Sequence, residues 1–156
     1  MRRLAFVGSL LITTALGSFG CSNDNTGQAA FTASLTGASV VPPVTSASSG
    51  NTTMSFDGNS TVTYHVTLNA ISGVTQVHIH SGAAGATGPV RVTLWSGRRT
   101  GDEKGTLTDA SFGSSDVQGM SLDDLLGELR TGTAYVDVHT GDNPDGALRG
   151  QVSLMQ

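Results

Sequence analysis

The sequence predicts an all-β fold, an antiparallel sandwich or barrel carrying one short helix, and three observations carry that prediction. Apolar and polar residues alternate along short runs, most clearly in Thr61-Val62-Thr63-Tyr64-His65-Val66-Thr67-Leu68. That is the period of a strand with one buried face. Turn residues break these runs often, and glycine alone accounts for 21 of 156 positions. Charged residues make up only 13% of the chain, and Thr, Ser and Val, which suit strands and turns, are abundant. The regular valine alternation and the modest net charge of −4 exclude a disordered chain. A hydrophobic content of 37% is enough for one domain with one core. No basic footprint exists for a nucleic acid.

Residues 1–20 read as an export signal peptide. Arg2 and Arg3 form a positive start, and residues 4–16 form an apolar stretch too short to span a membrane. Removing this leader leaves six cationic side chains against twelve acidic ones, a net charge of −6. Cys21 is the sole cysteine, so neither an intramolecular disulfide nor a cysteine-based zinc cluster is possible. A lone cysteine closing an export leader resembles the lipidation site of a bacterial lipoprotein. The preceding Ser18-Phe19-Gly20 departs from that pattern, because Phe19 is bulky for its slot. Ordinary cleavage leaving a free thiol is the alternative. Residues 21–30 then form a polar tether, and residues 31–156 the domain.

Within the domain, residues 31–35 alternate and form the first strand. Val41-Pro42-Pro43-Val44 holds two prolines and is an edge or crossover segment. Residues 51–56 form the second strand, and Asp57-Gly58-Asn59 the turn after it. Residues 61–70 form the clearest strand, with Val62, Tyr64, Val66 and Leu68 on one face. Ser72-Gly73 turns the chain into a strand over 74–80. A glycine- and alanine-rich loop covers 81–88, and Pro89 opens a strand over 90–95. Residues 97–119 lack a strong period, although 106–112 suits a short strand.

Residues 121–130 are the helix candidate. Ser121 is its expected N-cap, and Asp124 completes a capping-box-like pair. Leu122, Leu125, Leu126 and Leu129 form its apolar stripe, and Gly132 ends it. Asp123 and Asp124 suit the positive helix start better than an acid–base couple. Strands over 133–140 and 147–154, joined by a turn over 141–146, complete the chain.

The chemistry-bearing residues are histidines. His78 and His80 flank Ile79 on a strand, so both rings project from one face. In the later strand Tyr135, Asp137 and His139 share a face opposite Val136 and Val138. Three imidazoles suit copper, zinc or nickel. His78, His80 and His139 are therefore candidate metal ligands, provided the two strands are neighbours. The alternative is that the rings bond the adjacent loops and fix them to the sheet. Asp137 and Asp142 are candidates to orient a ligand histidine. Otherwise Asp137 is a polar strand residue, and Asp142 caps the turn before Pro144. Arg149 is expected to make an ion pair or carbonyl contact that pins the last loop. His65 is expected on a solvent face. Trp95, Arg98 and Arg99 form a small patch or a solvated loop. No Gly-x-Ser-x-Gly elbow and no phosphate loop ahead of a helix occurs, so nucleophilic catalysis has little support.

Several separated motifs resemble the CHRD domain, a module first described in chordin and widespread in bacterial envelope proteins. They are Leu35-Thr36-Gly37-Ala38, Val41-Pro42-Pro43-Val44, Val77-His78-Ile79-His80-Ser81-Gly82 and Gly88-Pro89-Val90. Tyr135-Val136-Asp137-Val138-His139-Thr140 and Asn143-Pro144-Asp145-Gly146-Ala147-Leu148-Arg149-Gly150-Gln151 complete the set. The resemblance implies an immunoglobulin-like sandwich. Taken with the leader and Cys21, the expectation is an exported, lipid-anchored binding module of the envelope with an extracellular or envelope protein as partner. The competing expectation is a protein holding one copper or zinc ion at His78, His80 and His139. A looser similarity to copper-zinc superoxide dismutase rests on the His-x-His strand and on Arg149. The bridging histidine, the zinc ligands and the disulfide of that family have no counterparts here, and redox catalysis is the least supported reading.

Overall fold

The computed structural model describes residues 27–156. The expected leader (1–20), the Cys21 lipidation site and most of the expected tether lie outside the described residues. Nine strands and one α-helix follow in order. They are β1 (Ala29–Thr36), β2 (Ser49–Phe56), β3 (Val62–Ser72), β4 (Val74–Ser81), β5 (Val90–Ser96), β6 (Asp102–Phe112), α1 (Leu122–Thr131), β7 (Ala134–Thr140), β8 (Leu148–Gln151) and β9 (Ser153–Leu154). All pairings are antiparallel, in the order β5-β4-β7-β8-β1-β2-β3-β6, with β9 attached to β1. The terminal strands β5 and β6 come back near each other, so the sheet almost closes into a barrel. The expected all-β architecture with a single helix is what forms. Among the described residues no helix is long and apolar enough to cross a membrane.

Alternation decides which face turns inward. Phe31, Ala33 and Leu35 of β1, Val62, Val66 and Leu68 of β3, and Val77 and Ile79 of β4 are all buried together. Tyr64 reaches across this core and donates its hydroxyl to the Leu94 carbonyl at 2.5 Å, which satisfies its one polar atom. Asp57 holds the β2–β3 turn by accepting from the backbone N–H groups of Asn59, Ser60 and Thr61. The helix is as the sequence predicts. Ser121 accepts from the Asp124 N–H, and the four stripe leucines are buried. Gly132 ends it in a left-handed conformation with φ 70°.

Two expectations need correction. The sixth strand runs from Asp102, not Thr106. Most of its side chains face solvent, so it carries no hydrophobic period. Leu107 sits at a register shift between Thr106 and Thr108, and this bulge turns it into the core. The last predicted strand is broken at Val152: its N–H still donates to the Ala134 carbonyl of β7, whereas β9 beyond it pairs with β1. Val41-Pro42-Pro43-Val44 belongs to the connection between β1 and β2 and is fastened by the Val44 N–H to the Gly37 carbonyl at 3.0 Å.

Candidate metal centre

β4 and β7 are direct neighbours, which meets the condition that the third histidine needed. Ile79 pairs with Val136 and Val77 with Val138, and these four face the core. Residues opposite one another share a face in an antiparallel pair. The outer face therefore carries His78 opposite Asp137, His80 opposite Tyr135, and Gln76 opposite His139. The apolar face fixes the register, because a slip by one residue would turn both histidines of β4 inward.

The four groups converge. Asp137 Oδ2 lies 3.1 Å from His80 Nε2, and Asp137 Oδ1 lies 3.1 Å from His139 Nε2 and 3.7 Å from His78 Nδ1. One ligand atom from each residue lies within 4.8 Å of all the others. His78, His80 and Asp137 are at most 9% exposed, although the face they occupy is the outer one. They are covered by the connecting loops.

Those loops also set the tautomers. His80 Nδ1 donates to the Gly88 carbonyl at 2.8 Å, and His139 Nδ1 donates to the Pro144 carbonyl at 2.8 Å. A carbonyl only accepts, so each ring must carry its proton on Nδ1. The Nε2 lone pairs are then left facing a carboxylate. Their separations from it are short, yet none of these contacts has the alignment of a hydrogen bond. His78 Nδ1, His80 Nε2, His139 Nε2 and Asp137 Oδ1 are all buried without a protein hydrogen-bond partner. Lone pairs facing lone pairs in a buried space repel unless a cation or protons intervene.

The electrostatics agree. Burial would raise the Asp137 pKa, but contacts with His139, His78 and His80 outweigh it and hold this carboxyl well below the usual carboxylate range. Asp137 in turn raises the His139 pKa above its ordinary value of 6.5, against the opposing effect of burial.

Neighbouring side chains stiffen the cluster. Tyr135 stacks on His80 with ring centroids 4.8 Å apart and 9° between planes, and its hydroxyl accepts from the Gly88 N–H at 3.3 Å. The Gly88 backbone lies so close to Ser81 that a β-carbon there would collide with the Ser81 carbonyl. Only glycine lets the loop close over His80. Gln151 Nε2 lies 2.8 Å from each of the carbonyls of Gly82, Gly132 and Ala134, which share its two N–H donors.

The loop-fixing alternative holds for two of the three rings. One nitrogen of His80 and one of His139 bond to loops, and the other turns inward to the cluster. Asp137 is not a peripheral orienting group but the centre of the cluster. The spacing that flagged His78-x-His80 recurs in Asp137-x-His139 and was the available signal. Asp142 does not cap its turn; Thr140 takes that role, its hydroxyl accepting from the Asn143 N–H at 3.0 Å. Arg149 makes the expected carbonyl contacts, but to Ala83 and Ala86 of the 81–88 loop instead of the last loop. His65 is exposed and pairs with Asp109, apart from the cluster. Arg99 lies over the Trp95 ring at 5.8 Å from its centroid, at the far end of β5.

The family model of the CHRD domain matches residues 31–152. Chordin from Xenopus laevis is 27% identical over 128 residues, a match that covers 77% of this chain and 12% of chordin. No solved structure matches the chain.

Proposed function

Since the chain belongs to the CHRD domain family, we propose that it is an exported binding domain whose recognition loops are stapled by one transition-metal ion, zinc or copper(II). His78, His80, His139 and Asp137 would hold the ion. The observation that carries this reading is the pair of carbonyl bonds from Gly88 to His80 Nδ1 and from Pro144 to His139 Nδ1. Backbone carbonyls in this position orient metal-ligating histidines and raise their basicity. They also link the ion to the two loops, 81–88 and 141–146, that flank the cluster.

The donor set fits such an ion. Three imidazole nitrogens and one carboxylate oxygen match the preferences of Zn(II) and Cu(II). Ligand atoms around a tetrahedral zinc lie about 3.4 Å apart, given bonds of about 2.0–2.1 Å. The two 3.1 Å Asp137 contacts are close to that spacing already. Four protein ligands fill a tetrahedral set, the pattern of a structural site, whereas a hydrolytic zinc centre keeps a position open for water. That favours a binding module over an enzyme. The polar segment after Cys21 suits a tether to a membrane of the cell envelope, and the partner is then an envelope or extracellular protein.

The test is calorimetric titration of the chelator-treated protein with Zn(II) and with Cu(II) at neutral pH. One-to-one binding tighter than micromolar, lost in His80→Ala, is expected. Absence of stoichiometric uptake would leave the cluster as a buried ion pair between Asp137 and protonated His139.

A further inference from the structure

We propose that the cavity between the Val40–Pro43 turn and the 81–88 loop receives an acidic side chain of a partner protein. This inference rests on the binding-module part of the function proposed above, and not on the metal. Arg149 carries it. The residue is only 4% exposed, yet no carboxylate among the described residues lies within 4 Å of its guanidinium. Asp137 faces it across the β7–β8 pairing but is engaged by the histidines. Nη2 donates to the carbonyls of Ala83 and Ala86 at 3.1 and 2.7 Å, and the guanidinium lies 3.5 Å from the centroid of Tyr135.

Carbonyl dipoles and a ring face ease the burial of a cation without neutralising it. A buried charge is ordinarily paired. Here the missing partner has somewhere to enter. A cavity of about 380 Å³ opens onto Arg149 and Gln151 between apolar walls that include Val40, Val41, Pro43 and Ala84. Arg149 is the only charged residue on its lining. Its Nε and Nη1 have no protein acceptor and are not sealed from solvent, so they remain as donors for a carboxylate oxygen. Val41, 38% exposed, offers apolar contact beside the entrance. The chain as a whole is acidic, so this site would act by local pairing and not by long-range attraction.

The experiment is an NMR amide titration with acetylated, amidated Val-Glu-Val, with Val-Gln-Val as the control. It is run on chelator-treated protein and again on zinc-treated protein. Saturable shifts at Val40, Val41, Ala84 and Gly85 with the glutamate peptide, and none with the glutamine peptide, are expected. Arg149→Gln, which keeps an amide donor for the loop carbonyls, should weaken binding at least about tenfold, the effect of losing a charged hydrogen bond. Ala84→Glu, at an exposed loop position, should place a competing carboxylate at the entrance and block the peptide without unfolding the domain. Equal binding of both peptides, or no binding by either, overturns the proposal. Free hexanoate binding as tightly as the peptide would overturn the protein-partner assignment in favour of a small carboxylate. Zinc uptake without peptide binding would sink this pocket alone, and peptide binding without zinc uptake would sink the metal alone.

Discussion

Among single residues, Asp137 determines what the cluster is. It contributes the only negative charge among three histidines, and each of its oxygens lies 3.1 Å from a histidine nitrogen. Asp137→Asn keeps the shape and removes the charge. The expected outcome is a loss of zinc affinity of at least about a hundredfold, since a direct ligand should matter no less than the outer partners whose removal typically loses 10–100-fold. Calorimetry checks it. The same variant should lower the metal-free His139 pKa toward its ordinary value, because the Asp137 contact is the main cause of the rise. NMR titration of the His139 ring protons reads that shift, and an unchanged pKa would mean that Asp137 is not its partner. The histidines were legible from the sequence because i, i+2 spacing on a strand guarantees a shared face. Asp137 is legible by the same rule, but the spacing does not say whether it joins the histidines, orients one of them or is only a polar strand residue. The Gly88 and Pro144 carbonyls were not legible, since any residue supplies a carbonyl and only the folded loop decides where it points.

At the level of elements, the helix and the hairpin turn follow from side chains that act on their own neighbours, so local sequence was enough. Ser121 binds the Asp124 N–H three residues on, and Ser121→Ala should lower stability by about 1 kcal/mol in urea denaturation. A variant of unchanged midpoint would mean that the helix is held by its leucine stripe alone. That stripe carries more. Leu129 is fully buried, and Leu129→Ala should remove about 2–5 kcal/mol in the same assay. Elements set by long-range pairing were harder to read. β6 is held by hydrogen bonds to β3 along its length, so its exposed polar side chains gave no period to detect. At Val152 the chain still bonds to Ala134 of β7, and just beyond it β9 pairs with β1 instead. Neither event leaves a mark in the local pattern.

For the whole molecule, the cluster ties β4, β7 and two loops together, so metal should act on global stability with a characteristic pH dependence. The metal-free case sets the baseline. His139 has a raised pKa, so its contribution is complete below about 6.5, the unfolded value, and fades as pH rises through the folded value. Asp137 has a lowered pKa, so its contribution is present above 3.8 and fades as pH falls below that value. The metal-free protein should therefore lose part of its stability on going from pH 6 to pH 8.5. A bound metal should reverse that trend. Ligation needs unprotonated ring nitrogens, so protons compete with the ion and affinity climbs with pH. At a free zinc concentration of about one hundred times its Kd, binding to the native state adds about 2.7 kcal/mol. Thermal unfolding with and without zinc at pH 5.5 and pH 8 checks this. The zinc-induced rise in Tm should be larger at pH 8, where the metal-free protein has weakened and protons compete less with the ion. An increment that shrinks toward pH 8 would mean that a proton, not a metal, neutralises Asp137, and the loops would then be fixed by an ion pair that fades as His139 loses its charge.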